Sequence, residues 1–201
     1  MYFTSRRINR NFEKNRLADL RPAMDRRGLL NGQGREALRS LAFGFADVGR
    51  SGCESIAVYN ALLLLDRPRP LPEIIRAMEK GGYLRFGGHL GAVPYFQPLM
   101  RRYGAATRLV TPAALRREAD SGQLKPGSVF LMAIWNRRFC LHKGLHTFTV
   151  LYDPAESEPW TAFNRFNSDT AERHYAHLDD ILRNGTHAGA WLVLYRVIPL
   201  D

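Results

Sequence analysis

Cysteine is nearly absent from this chain of 201 residues: Cys53 and Cys140 are the only two. Two thiols in unlike surroundings are too few for a disulfide framework, so the fold must be held by its core. Long apolar runs are also missing. A run such as Ala61 to Leu65 falls far short of the ~20 residues that a membrane helix requires. The start, Met1-Tyr2-Phe3-Thr4-Ser5-Arg6-Arg7, leads into no apolar stretch of the signal-peptide kind. The expectation is therefore a soluble protein with no membrane span, cytoplasmic or exported without a signal peptide. No repeat or low-complexity segment is present, and no CxxC or HExxH pattern accompanies the histidines. Cys140, His142 and His146 are close in sequence, but the stretch around His146 alternates like a strand, so zinc is discounted and neither metal nor cofactor is expected.

Acidic residues are scarce too, 19 against 29 Lys and Arg, which gives a net charge of +10. Much of the excess lies in the first forty residues, from Arg6 and Arg7 to Arg35 and Arg39. These charges are dispersed, and few aromatics stand among them for bases to stack on. A solvated helical face is the expected reading, not a nucleic-acid arm. Residues 1–44 read as a basic helical N-terminal extension to a domain at 45–201. Leu17, Leu20, Met24, Leu29 and Leu30 form its loose apolar stripe, broken by Pro22 and Gly28. A second short helix is expected from about Gln33 to Phe43.

The stretch that organises the rest begins at Gly49-Arg50-Ser51-Gly52-Cys53-Glu54. A glycine-bearing loop delivers a cysteine to the start of an apolar helix that no proline interrupts before Pro68. A helix N-terminus offers free N–H groups and partial positive charge. Such a site lowers a thiol's pKa and can hold an oxyanion on a carbonyl under attack. The competing reading is a buried cysteine packed as a small hydrophobe. Glu54, in the first turn, suits either a helix-end role or a place beside the nucleophile, and Asn60 reads as an interior polar residue.

Downstream, Pro72 opens a helix that Gly81-Gly82 closes. The loop Gly87-Gly88-His89-Leu90-Gly91 lacks the lysine of a phosphate loop, and its glycines read as room for a substrate peptide backbone. Helices are expected over Pro94–Tyr103 and from the Thr111 cap to about Asp120. The pattern then changes to strands over Gly127–Trp135, Leu145–Tyr152 and Trp160–Phe166, a short helix over His177–Arg183, and a last strand over Gly189–Val197. Helices first and strands afterwards predict an α+β fold, an N-terminal helical lobe packed on a C-terminal antiparallel sheet.

Thiol chemistry needs a base and a group that orients it. His146, at the start of a strand after Lys143-Gly144-Leu145, is the best-placed imidazole. Asn164 on the following strand, or Asn167 just past its end, is the candidate third member, because a carboxamide can accept from the imidazole without adding charge.

Gly52-Cys53 with Ile56-Ala57-Val58-Tyr59-Asn60-Ala61-Leu62, Gly87-Gly88-His89-Leu90-Gly91 with Pro94, Gly127-Ser128-Val129 and His146-Thr147-Phe148-Thr149-Val150 together resemble a papain-like cysteine peptidase. Within that class the chain is most similar to the bacteriocin-leader peptidase group, which cleaves after double-glycine leaders; the likeness spans about residues 45–197. The resemblance implies a papain-like fold and hydrolysis of a peptide or amide bond in a peptide or protein substrate through a thioester. Cys53 is then the nucleophile, His146 the base and later the acid, and Asn164 the orienting residue. The group's oxyanion glutamine, six residues before the cysteine, is here Asp47, whose carboxylate would repel an oxyanion. Arg50 or the Ser51 hydroxyl are the substitute donors. That departure keeps open a cysteine-dependent acyl or amide transferase, a deamidase of effector or toxin kind, and a catalytically inactive peptide-binding module.

Overall fold

The computed structural model describes residues 4–92, 95–136, 144–184 and 187–201. Its helices are α1 (Ser5–Asn15), α2 (Glu36–Arg39), α3 (Val48–Ser51), α4 (Cys53–Leu64), α5 (Leu71–Lys80), α6 (Gln97–Arg102) and α7 (Pro112–Asp120). Its strands are β1 (Ala42–Phe43), β2 (Ala46–Asp47), β3 (Ala105–Val110), β4 (Ser128–Trp135), β5 (Leu145–Tyr152), β6 (Trp160–Phe163), β7 (Arg173–Tyr175), β8 (Arg183–Asn184), β9 (His187–Ala188) and β10 (Ala190–Pro199). The fold is mixed α+β. Six strands form one antiparallel sheet in the order β3-β10-β4-β5-β6-β7, while β1-β2 and β8-β9 are small hairpin pairs.

Helix α4 is apolar on all sides, and such a helix has to be buried. Ile56, Ala57, Val58, Ala61 and Leu62 are fully enclosed. They pack with Ile74, Ile75 and Met78 of α5 and with Val129 and Leu131 of β4 to make the larger of two cores. The other face of the sheet carries Phe130, Met132, Ile134, Phe148, Val150 and Trp160, covered by Leu115 of α7 and by Leu178 and Ile181 of a 3₁₀ turn. The central strands β4 and β5 are therefore buried on both faces.

Punctuation sets several boundaries as expected. Thr111 caps α7, its Oγ1 accepting from Ala114 N at 3.2 Å, and Gly81 ends α5. Elsewhere the structure differs from expectation. The N-terminal helix lies at Ser5–Asn15, ahead of the leucine stripe, and Leu17 is 76% exposed. The face that α1 buries is Ile8, Asn11 and Asn15, a helical spacing largely made of asparagine, which apolar patterning cannot register. The second helix shrinks to Glu36–Arg39, since Ala42 and Phe43 turn into a hairpin with Ala46 and Asp47. Strand β3, unforeseen, pairs with the last strand over Ala105–Val110. The strand at 160 stops at Phe163, because Asn164 turns to φ 58°. The helix at 177 is only a 3₁₀ turn over Leu178–Leu182. Pro94 lies outside the described residues, and the helix that follows it begins at Gln97.

The described part of the N-terminal segment, residues 4–44, shares the main core: Leu30, Leu38, Leu41 and Phe43 pack in the same cluster as α4. Asparagines fasten the segment. Asn60 donates to Leu30 O and accepts from Leu30 N, both at 2.8 Å. Asn15 does the same to Ala42. Each clamp supplies a backbone N–H and C=O with the partners that burial demands.

Candidate active site

Strand β5 decides what meets what. Successive side chains point to opposite faces of a sheet. Thr149 Oγ1 donates to Ala57 O of α4 at 2.7 Å, so Thr147 and Thr149 look toward that helix. His146, Phe148 and Val150 look the other way, and His146 pairs across the ladder with Ile134, a member of the opposite core. The start of α4 and the His146 ring thus lie on different sides of β5.

On the helix side, Cys53 and Glu54 line a cleft of about 390 Å³ together with Arg50, Arg85, His89 and Trp135. The Cys53 thiol donates to Glu54 Oε2 at 3.2 Å. Burial pushes the thiol well above its ordinary pKa, and the neighbouring Glu54 charge adds to this. The backbone N–H groups of Thr147 and Glu54 act in the opposite sense, by donating to sulfur. Glu54, 2% exposed, is also raised by burial; its own N–H, the thiol, Ala92 N–H and the Arg85 charge partly offset this. Gly91 leaves it room: a Cβ there would sit 3.2 Å from Oε2 and 3.3 Å from Oε1.

On the far side, His146 is enclosed among charged and aromatic groups. Its Nε2 donates to Asn164 O at 2.5 Å, and its ring stacks on Phe148 at 5.9 Å. Burial, with the nearby Arg165 charge, holds the imidazole down to about 4, so at neutral pH the ring is uncharged. Arg165 is itself 1% exposed and lies over Phe148 and Phe166, with its Nε donating to Ile181 O at 2.8 Å. Burial lowers this guanidinium to about 10.

The expected triad is therefore not assembled. Among the described residues no hydrogen bond joins Cys53 to His146. Asn164 does meet His146, but through its backbone carbonyl; its side-chain oxygen accepts from Gln33 N at 2.8 Å instead. Asn167, the alternative, is exposed, and its carbonyl accepts from Gly34 N. Asp47 caps α3, accepting from Arg50 N at 2.8 Å, and is not part of the cleft lining. Arg50 does line the cleft. The Ser51 hydroxyl also faces it but donates to His89 O at 3.0 Å. Gly52 lets α3 and α4 abut, for a Cβ there would lie 2.7 Å from Val48 Cα.

In the glycine loop, the backbone that comes close is the chain's own. Phe45 N donates to Gly87 O at 2.6 Å, and a Cβ on Gly88 would stand 2.8 Å from Phe43 O. Gly87 and Gly88 thus seat the β1-β2 turn, while His89 and Gly91 remain at the cleft. Cys140 and His142 lie outside the described residues. Glu54 and Asn60 could have been placed from sequence, as the two strongly polar side chains of an otherwise apolar helix; nothing in the pattern marks Arg85 or Arg165. Comparison with family models, with curated proteins and with solved structures finds no match to this chain.

Proposed function

We propose that the cleft beside Cys53 is the seat of a cysteine-dependent hydrolase that acts on peptide or other amide bonds, of the papain-like kind its motif order resembles. The observation that carries the reading is a thiol at the first position of α4 on the wall of a 390 Å³ cleft, a size that suits part of a peptide. A helical lobe against an antiparallel sheet, with the cleft at their seam, is compatible with that class. Sulfur attacks the acyl carbon, the amine leaves, and water releases the acid from the thioester. His146 has no part in this version. The guanidinium groups of Arg50 and Arg85 at the cleft favour a substrate carrying negative charge.

A peptide-binding module without turnover is the second reading, favoured by the burial that keeps the thiol protonated. Capture by a peptide vinyl sulfone separates the two. Under the first reading the native chain forms one adduct, mapped to Cys53 by mass spectrometry, faster than the urea-unfolded chain does. Equal or slower capture in the native state would overturn hydrolysis.

A further inference from the structure

We infer that Glu54 is the proton acceptor and donor for Cys53, so that the reactive unit is a thiol–carboxylate dyad of neighbouring residues. This rests on the proposed function above, and it assigns the role that His146 cannot fill from the other face of β5.

The geometry requires little rearrangement. The thiol already donates to Glu54 Oε2 at 3.2 Å, and both groups line the cleft. The carboxylate is held in place by Ala92 N–H and its own N–H. Gly91 gives it space that no other residue would leave, since a Cβ would crowd both oxygens and the position has φ 81°. Among the described residues, the charged and titratable groups that line the cleft with it are Cys53 on α4, Arg50 on α3, and Arg85 and His89 at the glycine loop. Arg85 acts to keep it ionised against the effect of burial.

The dyad differs from a thiolate–imidazolium pair because the resting proton stays on sulfur. A raised thiol beside a carboxylate cannot hand over its proton in advance, so transfer accompanies attack. As the S–C bond forms and the carbonyl π electrons move to oxygen, the thiol proton passes to Glu54 Oε2. Collapse of the tetrahedral species breaks the C–N bond, and the amine leaves with that proton. Water then attacks the thioester and gives a proton to the same carboxylate. The C–S bond breaks, sulfur takes the proton back, and the sum is amide plus water to acid plus amine.

The test is acylation of the full chain by p-nitrophenyl acetate, read as nitrophenolate release and as thioester mass on Cys53 between pH 4 and 9. The wild-type rate should rise with ionisation of Glu54, with its midpoint above the ordinary carboxylate range, and solvent deuterium should slow it about twofold or more. Glu54→Gln should lower the rate at pH 7 by about 10²-fold and lose that limb, so that the rate simply follows thiol ionisation. Glu54→Asp, which keeps a carboxylate, should recover part of it. If Glu54→Gln acylates at the wild-type rate or faster at pH 7, the dyad is overturned while Cys53 survives as nucleophile. If Glu54→Gln does not fold, absence of a solvent isotope effect in the wild type overturns it equally. A wild-type thiol that reacts no faster than in the unfolded chain sinks the hydrolase reading, and the dyad with it.

Discussion

The two sides of β5 bury titratable groups in contrasting ways. On the α4 side, Cys53 and Glu54 are enclosed yet stand at the wall of an open cleft. On the other side, His146 is fastened to Asn164 O and walled in by Phe148 and Arg165. Burial perturbs both sets, but the first lines a cleft with room for a substrate. A shifted pKa therefore marks a reactive group only where space accompanies it, and the imidazole is a neutral structural donor.

That contrast is broken most sharply by substitution. Cys53→Ala should abolish capture by the vinyl sulfone, whereas His146→Phe should leave the capture rate at pH 7 within about twofold, because general-base loss would instead cost ~10²-fold or more. A collapse of capture in His146→Phe would mean the two sides work together after all.

Next in size is acid sensitivity. A folded-state value of about 4 for His146, against 6.5 for the free side chain, means the unfolded chain binds the proton first as pH falls. The stability this group contributes is complete above pH 6.5, is lost as pH falls toward 4, and amounts to about 3 kcal/mol. Glu54 and Glu79, raised by burial, slope the opposite way over their own range. The quantity to measure is therefore wild type minus His146→Phe in urea unfolding at pH 7 and pH 4.5; a constant difference would contradict a neutral buried ring.

Smaller effects probe the attachments on the α4 side. Asn60→Ala removes both bonds to Leu30 and should cost about 2 kcal/mol in urea midpoint stability. Thr149→Val keeps the volume but loses the bond to Ala57 O, for about 1 kcal/mol. It should also slow capture at Cys53 if the seating of α4 on β5 positions the thiol.

The helices with strong punctuation and the strands with β-branched or aromatic runs could be read from sequence: α4, α5, α7, β4 and β5 lie close to where patterning puts them. Helix α1 could not, because it buries Asn11 and Asn15, nor β3, whose exposed Arg108 and Leu109 blur the alternation. Cys53 was legible as the head of an apolar helix. The orientation of His146 was not. Both faces of β5 are buried, with threonines toward α4 and a histidine, a phenylalanine and a valine away from it. Polarity therefore offers no contrast by which to tell the sides apart, and a shift of one residue exchanges them.

The reciprocal grips of Asn15 on Ala42 and Asn60 on Leu30 bear on how the arginine-rich segment stays docked. Carboxamides neither titrate nor attract counterions. These two grips on a segment so rich in positive charge should therefore be indifferent to the salt and acidity that loosen its charged attachments, Arg27 to Glu172 and Asn11 to Glu79.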